Sequence, residues 1–280
     1  MRGVTDARLA VWGDPISHSR SPQLHTAAYR VLGLDWEYGR RQVTASGFAA
    51  AIAERDPSWR GLSLTMPLKE AAFAVADDRD THANLTGVAN TLLFDDGVHA
   101  FNTDIGGIVD ALRDAGITSL ERVRILGAGA TAASAIAAAR ELGAGQAEVR
   151  ARRPERAESL IALGHQAGID VTVTTFSAPA LAVDMTMATL PGGAQLSDDI
   201  LAPLRAEGGD LFEAAYDPWP SPLAASWTGG RVVSGLGMLL HQAVRQVRVF
   251  VNGDPLRPVE DERDVVSAMR SALGDDGPAD

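Results

Sequence analysis

The stretch VRILGAGATA, from Val123 to Ala132, decides the fold of this 280-residue chain. Its first four residues predict a short strand, and an alanine-rich helix is expected directly after it, from Thr131 to Leu142. Gly127 permits a tight turn, Gly129 lets a pyrophosphate approach the backbone, and Ala132 lets helix and strand pack closely. The N–H groups at the start of the helix would then face the phosphates. The stretch predicts a dinucleotide-binding loop, with a structural helix start in an alanine- and glycine-rich sequence as the alternative.

The segments that follow continue the alternation of strands and helices. Strands are expected at Ala147 to Ala151, Val171 to Thr175, Val183 to Met187 and Asp210 to Ala214, and a helix at Glu155 to Ala167. This β-α-β-α-β order over about 100 residues is typical of a mononucleotide-binding half. We therefore expect a Rossmann-type cofactor domain over residues 104–235.

Three arginines decide which dinucleotide is expected. NAD-binding proteins place an acidic residue after the second strand of such a unit, where it accepts a hydrogen bond from the ribose 2′-hydroxyl. This chain has Arg152, Arg153 and Arg156 there, and no acidic residue between positions 150 and 154. Guanidinium groups bind a 2′-phosphate bidentately, whereas a carboxylate repels it. NADP is therefore the predicted cofactor, with a solvated basic turn as the alternative.

The chain before residue 104 has its own alternation of strands and helices. Strands are expected at Leu9 to Gly13, Trp36 to Val43 and Leu62 to Thr65, and a hairpin at Ala89 to Phe94 with Val98 to Phe101. Helices are expected to begin at Ser21, Ser46 and Pro67, the two serines acting as caps. Two later helices, Gly235 to Val251 and Glu260 to Leu273, are expected to pack back on this part. The predicted fold class is α/β with two domains, a substrate-binding domain over residues 1–103, completed by about 236–280, and the cofactor domain.

Composition and charge exclude several classes of function. A net charge of −11 argues against a nucleic-acid partner, because phosphate binding needs a basic face. No apolar run reaches the roughly 18 residues of a membrane span, so no membrane association is expected. The sequence lacks cysteine, and its six histidines form no closely spaced ligand pair, so no metal site is predicted. A cytoplasmic enzyme, monomeric or homodimeric, is the expectation.

Polar residues follow the predicted strands of the first domain. Ser19 and Ser21 come after the first strand, Thr65 and Lys69 after the third, and Asn90 at the start of the hairpin. The segment Asn102-Thr103-Asp104 follows the hairpin. Because strand carboxyl ends face the ligand crevice in such sheets, these groups could together hold a polyhydroxylated acid. Helix and turn capping by the serines and asparagines, and an ordinary exposed lysine, are the alternative.

Five motifs of this sequence resemble, in family order, those of the shikimate dehydrogenases. They are GDPISHSRSP (Gly13 to Pro22), TMPLK (Thr65 to Lys69), ANTL (Ala89 to Leu92), NTD (Asn102 to Asp104) and GLGMLLHQ (Gly235 to Gln242). The stretch from Tyr216 to Pro220 is similar to that of actinobacterial members. The motifs span nearly the whole chain, which makes the joint resemblance specific.

The resemblance implies a role for each matched residue. Lys69 and Asp104 would be the catalytic pair. Ser19 and Ser21 would bind the substrate carboxylate. The other implied substrate contacts are Thr65, Asn90, Tyr216 and Gln242. The implied cofactor contacts are Gly127, Ala128, Gly129, Ala130, Arg152, Arg153, Arg156, Thr189 and Gly235.

The activity implied is the NADP-dependent, reversible reduction of 3-dehydroshikimate to shikimate in aromatic amino-acid biosynthesis. The chain departs from the family pattern at Ser63, where asparagine is usual, at Ala130, and at Met187 before Thr189. A quinate or amino-shikimate dehydrogenase is the first alternative, although an NAD-preferring quinate enzyme would have an acidic residue near Arg152. A non-catalytic regulatory paralogue is the second, and such a protein would have lost Lys69 or Asp104.

Overall fold

A computed structural model describes residues 7–274. These residues divide into two compact units, one formed by residues 7–103 and 242–274 and the other by residues 104–241. The strands are β1 (Ala7–Gly13), β2 (Trp36–Gln42), β3 (Trp59–Leu64), β4 (Asp78–Arg79), β5 (Thr91–Phe94), β6 (Val98–Phe101), β7 (Arg122–Leu126), β8 (Gln146–Arg150), β9 (Asp170–Thr174), β10 (Met185–Ala188), β11 (Asp210–Glu213) and β12 (Val232–Ser234). The helices are α1 (Ser21–Val31), α2 (Phe48–Ala53), α3 (Lys69–Val75), α4 (Thr81–Thr86), α5 (Asp104–Asp114), α6 (Ala130–Glu141), α7 (Glu158–Ala167), α8 (Asp198–Ala206), α9 (Pro222–Ser226), α10 (Gly235–Asn252) and α11 (Glu262–Ala272).

The first unit is built on a mixed six-stranded sheet in the order β2-β1-β3-β5-β6-β4. β1 pairs in parallel with β2 and β3, whereas β5 is antiparallel to both β3 and β6. Trp12, Phe48, Leu62 and Leu92 are buried together in its core. The carboxyl ends of β1, β3 and β6 and the start of β5 therefore lie along one edge of the sheet, which is where the polar motifs of this unit are found.

The second unit is a fully parallel sheet in the order β12-β11-β10-β7-β8-β9. The chain moves outward from β7 through β8 to β9 and then returns to β10 on the other side of β7. This reversal is the topological switch point of a Rossmann sheet, where dinucleotides bind at the strand carboxyl ends. The α/β fold class predicted from the alternation of elements is confirmed.

Two fully buried arginines hold the connection that leads from β9 to β10. Arg124 of β7 and Arg150 of β8 each donate to Glu148 over 2.8 Å. Arg150 also donates to the carbonyl oxygens of Phe176, Ala178 and Pro179. Burial opposes ionisation of Glu148, but the hydrogen bonds from both guanidinium groups outweigh it and hold the pKa of this carboxyl below its usual value. The arginines thus satisfy the carbonyls of a segment that contains no helix.

Several predicted helix starts are wrong by one to three residues. Arg20, not Ser21, is the cap residue of α1, and Thr44, not Ser46, caps the short 3₁₀ turn before α2 by accepting from the Gly47 N–H. α3 begins at Lys69 rather than at Pro67, and α7 begins after a separate 3₁₀ turn, Pro154–Arg156. Helix ends are the least sharply encoded part of a helix.

Candidate active site

Backbone contacts bind the segment after β3 to the end of β1. The Thr65 N–H donates to the Trp12 carbonyl oxygen over 3.0 Å, and the Asp14 N–H donates to the Met66 carbonyl oxygen over 2.9 Å. A Cβ on Gly13 would lie 2.3 Å from the Thr65 Cγ2 atom, so only glycine allows this approach. The polar residues that follow β1 and those that follow β3 are therefore held next to each other.

Lys69 is held next to the Asn90 segment by its own backbone. It is the first residue of α3, half-buried, and its carbonyl oxygen accepts from the Ala89 N–H over 2.9 Å. Leu68 is fully buried in the core and anchors the turn before it. The rigid attachment of Leu68 and Ala89 fixes the point from which the amine of Lys69 extends.

Asn90 is the centre of a buried hydrogen-bond network. Its Oδ1 atom accepts from the Thr103 N–H over 2.9 Å and from the Thr91 hydroxyl over 2.9 Å. Its Nδ2 atom donates to the Thr103 hydroxyl oxygen over 2.9 Å and to the Gln242 Oε1 atom over 3.3 Å. The structure thus brings Asn90 and Gln242 together across 152 residues of sequence. Asp104, also buried, follows Thr103 directly in the chain and begins α5.

Ser19 and Ser21 form a second group at the end of β1. Their hydroxyl oxygens lie 3.3 Å apart, and the Ser21 N–H points to the Ser19 hydroxyl oxygen over 3.4 Å. Ser21 also interacts with the hydroxyl of Tyr38, and its carbonyl oxygen lies 2.9 Å from the Nδ1 atom of the buried His25. The Ser21 hydroxyl does not cap α1 and instead contacts the hydroxyls of Ser19 and Tyr38.

His25 should make stability fall as the protein is acidified. Burial lowers the pKa of His25 from 6.5 to about 4, with the hydrogen bond to Ser21 a smaller opposing effect. The unfolded chain then binds more protons than the folded one between these values, so this stability is complete above pH 6.5 and is lost as pH falls towards 4. The loss is about 3 kcal/mol at 1.36 kcal/mol per pKa unit.

Urea unfolding at several pH values would measure this loss. The variant His25→Phe keeps a ring that can stack on Tyr38, as the His25 ring does at a 4.0 Å centroid distance, but cannot gain a proton. The difference in unfolding free energy between parent and variant should therefore change by about 3 kcal/mol between pH 6.5 and 4. A difference that stays constant across this range would contradict the assignment.

In the second unit, the glycine loop lies against Thr189 at the switch point. Gly127 has φ +112°, a conformation that favours glycine, and a Cβ there would lie 2.7 Å from the Thr189 hydroxyl oxygen. Both the backbone conformation and the close approach of Thr189 therefore require glycine. Thr189 in turn donates from both its N–H and its hydroxyl to the Leu126 carbonyl oxygen. Gly129 is extended, precedes α6 and supplies no side-chain cap, and a Cβ there would meet open space. This backbone cradle fits a pyrophosphate group.

Arg152, Arg153 and Arg156 lie beside the same loop and are exposed. The Gly127 N–H donates to the Arg150 carbonyl oxygen over 2.9 Å, so the residues after β8 run next to the glycine loop. Ala128 is exposed and Ala130 half-buried at the start of α6. A 2′-phosphate on a dinucleotide in this cradle would meet a basic surface, which fits NADP.

Two further predicted residues belong to the second unit. Tyr216 is half-buried in the segment after β11. Gly235 is buried where α10 begins, and a Cβ on it would lie 2.2 Å from the Ala214 carbonyl oxygen. Close packing against the end of β11 therefore explains this glycine.

Sequence reasoning missed two features of the site. Gln246, Ser63 and Tyr38 are buried beside Asn90 and hydrogen-bonded to one another. Moreover, Lys69 is the only lysine in the chain, and the other 24 basic side chains are arginines. Because arginine is used in place of lysine everywhere else, the one retained amine indicates a role that arginine cannot fill. A guanidinium group cannot give up a proton near neutral pH.

Residues 7–274 offer neither a metal site nor a membrane span. Within them, no group of three or more histidine, cysteine, aspartate or glutamate side chains could hold a metal ion. No helix in this range has the length and apolar character needed to cross a bilayer.

Comparison with known proteins gives a consistent result. The family model for the shikimate dehydrogenase substrate binding domain matches residues 11–92. A shikimate dehydrogenase (NADP(+)) of Methanothermobacter thermautotrophicus is 34% identical over 259 residues, covering 88% of this chain and 91% of that protein. The crystal structure of Mycobacterium tuberculosis shikimate dehydrogenase is 39% identical, with a TM-score of 0.83 over 96% of this chain and 99% of that one. A shikimate 5-dehydrogenase from Thermus thermophilus, solved in complex with NADP(H) and shikimate, is 29% identical, with a TM-score of 0.77 over 95% of this chain and 100% of that one.

Proposed function

The chain belongs to the shikimate dehydrogenase family, and we propose that it uses NADPH to reduce 3-dehydroshikimate reversibly to shikimate in aromatic amino-acid biosynthesis. The observation that carries the proposal is the similarity to named NADP(+)-dependent shikimate dehydrogenases over most of both chains. The buried polar edge of the first unit and the glycine loop of the second supply matching chemistry. We propose that the first unit binds the substrate and the second binds NADP.

The substrate side is proposed to work through matched hydrogen-bonding groups. Ser19 and Ser21 bind the substrate carboxylate, a role supported by their 3.3 Å separation. Thr65, Asn90 and Gln242 contact ring hydroxyls, and Tyr216 lies near the substrate and nicotinamide. Such a set of small, fixed polar groups suits a polyhydroxylated acid better than an apolar ligand.

Catalysis is proposed to depend on Lys69 and Asp104. Bound NADPH supplies the hydride that reduces the carbonyl carbon. Lys69, as an ammonium, stabilises the negative charge that develops on the carbonyl oxygen and donates the proton that makes it a hydroxyl. In the oxidising direction the amine of Lys69 accepts that proton from the substrate hydroxyl. Asp104 orients Lys69 and accepts a hydrogen bond from a substrate hydroxyl.

Cofactor binding is proposed to follow from the geometry of the second unit. The backbone from Gly127 to Ala130 receives the pyrophosphate at the start of α6. Arg152 binds the 2′-phosphate with Arg153 and Arg156 beside it, and Thr189 and Gly235 complete the nicotinamide side. The support is the glycine at the cap position of α6 together with the exposed arginines after β8.

A single assay tests the proposed function. The purified protein is mixed with shikimate or quinate and with NADP or NAD, and the absorbance of reduced nicotinamide is followed. Rapid reduction of NADP with shikimate is the expected result. Faster turnover with quinate than with shikimate, or no turnover of either, would contradict the proposal.

Asp104→Asn should lower kcat about tenfold, less than the loss of a proton donor itself costs. The amide keeps the shape of the side chain but loses the charge that orients Lys69. Initial rates of shikimate oxidation from pH 6 to 9 would measure the effect. Asp110→Asn is the matched control, because it removes a carboxylate from the same helix at a half-buried position outside the proposed site. Full activity of Asp104→Asn across the pH range would remove Asp104 from the mechanism.

A further inference from the structure

Gln246 is a buried amide that lies one helical turn after Gln242 on α10. Its side chain is 1% exposed, although glutamine is normally a surface residue. Its Nε2 atom donates to the Asn90 carbonyl oxygen and to the Thr91 hydroxyl oxygen, each over 3.2 Å. Gln246 therefore holds both the backbone and the neighbour of Asn90, a proposed substrate contact.

The other end of Gln246 is held by two hydroxyl groups. The Ser63 hydroxyl donates to the Gln246 Oε1 atom over 2.7 Å, and the Tyr38 hydroxyl donates to the Ser63 oxygen over 2.6 Å. Burial raises the pKa of the Tyr38 hydroxyl, which keeps it a proton donor at neutral pH. Ser63 therefore both accepts from Tyr38 and donates to Gln246, which links the three side chains in one chain of hydrogen bonds.

The donors and acceptors in the network define which way each amide points. The Thr103 N–H can only donate, so it must face the oxygen of the Asn90 side chain and not its nitrogen. The Asn90 nitrogen therefore points to Gln242, whose Oε1 atom accepts from it. The Nε2 atom is consequently the end with which Gln242 can donate to a ligand oxygen. A reversed amide at Asn90 would reverse Gln242 as well.

We propose that Gln246, held by Ser63 and Tyr38, is a positioning residue that fixes Asn90, and through it Gln242, for binding the ring hydroxyls of the substrate. This inference rests on the proposed function, since it assumes that Asn90 and Gln242 contact shikimate. An apolar side chain of the same volume would fill the space with little loss of packing. What it would not do is fix the Asn90 backbone and the direction of the Thr91 hydroxyl.

Gln246→Met tests the proposal because methionine keeps the volume and loses every hydrogen bond. The KM for shikimate should rise about fivefold to tenfold, the effect of losing about one net hydrogen bond from substrate positioning. The KM for NADP should stay within about twofold. Ser63→Ala should also raise the KM for shikimate. Ser63→Thr keeps the hydroxyl and should have the same KM for shikimate as the parent enzyme. The double variant Gln246→Met, Ser63→Ala should have a KM for shikimate no higher than that of Gln246→Met alone. The effects of two substitutions within one hydrogen-bond network are not additive.

Val247→Ala is the matched control for a purely structural effect. Val247 is the next residue of α10 and is also fully buried, but it contributes no hydrogen bond from its side chain. This variant should lower the thermal unfolding midpoint through a cavity and leave the KM for shikimate unchanged. If Gln246→Met does not fold, Ser63→Ala and Ser63→Thr test the same network with a smaller change.

The possible outcomes separate this inference from the proposed function. A parent enzyme that does not oxidise shikimate with NADP overturns the function itself. A parent that does so, with a Gln246→Met or Ser63→Ala variant whose KM for shikimate stays within twofold, overturns only the positioning role. A rise in that KM for Val247→Ala equal to that for Gln246→Met would also overturn it, because general loosening of α10 would then suffice.

Discussion

Lys69→Ala should lower kcat for shikimate oxidation by about 10²–10⁴, the usual contribution of a positioned acid or base. The KM for shikimate should change much less, because the proposed substrate contacts Ser19, Ser21 and Asn90 are unchanged. The physical reason is that alanine can neither accept the proton of the substrate hydroxyl nor stabilise the negative charge that develops on its oxygen. Steady-state kinetics with shikimate and NADP would measure both constants.

Lys69→Arg provides the decisive comparison with the alanine variant. It retains the positive charge, but a guanidinium cannot lose a proton in the working pH range and so cannot act as a base. We expect it to be nearly as inactive as Lys69→Ala. Turnover of either variant within a factor of three of the parent would remove Lys69 from the mechanism.

The amine of Lys69 can also be examined by chemistry alone. Because the chain has no other lysine, an amine-directed reagent such as trinitrobenzenesulfonate can modify only this side chain and the N-terminus. Mass spectrometry would locate the modified residue. Modification of Lys69 should abolish activity, and bound shikimate should prevent both the modification of Lys69 and the loss of activity. Loss of activity without modification at position 69 would point to another group.

Replacing Arg152 and Arg153 together with alanine should lower the affinity for NADP by about tenfold to a hundredfold. Hydrogen bonds to charged groups contribute about 1.5–3 kcal/mol, and ~1.4 kcal/mol corresponds to a factor of ten. Both side chains are exposed, so salt should weaken the effect by screening. The parent enzyme should prefer NADP to NAD by at least about tenfold in kcat/KM, as expected from one arginine–phosphate interaction. The variant should lose this preference while its NAD kinetics stay nearly unchanged.

A control variant with the same change of net charge distinguishes specific binding of the 2′-phosphate from a general electrostatic effect on NADP. Arg122 begins β7 and Arg140 lies in the last turn of α6, both exposed and both at the opposite edge of the parallel sheet. The Arg122→Ala, Arg140→Ala double variant should leave the KM for NADP within about twofold. Equal use of NAD and NADP by the parent enzyme would refute the assignment of the 2′-phosphate site.

The sequence alone determined the features that depend on local pattern. The order of apolar segments and helices predicted the parallel sheet of the second unit, because a strand followed by a helix and another strand has very few alternative packings. The glycine loop lies between β7 and α6 as predicted, and Gly127 is required there by its positive φ and its close approach to Thr189. The resemblance of five motifs to one family, confirmed by the comparisons, came from the same local stretches. The roles of the individual site residues remain predictions.

Only the tertiary structure decided which distant residues meet. Asn90 and Gln242 are 152 residues apart, and no periodicity or turn signal links them. Arg124 lies within an otherwise apolar strand segment, and the fold buries it with Glu148. Ser21 has the residue type of a helix cap, and the structure instead turns its hydroxyl towards Ser19. Local sequence fixes what a segment can become, whereas the free energy of satisfying a buried polar group depends on partners that only the folded chain brings within reach.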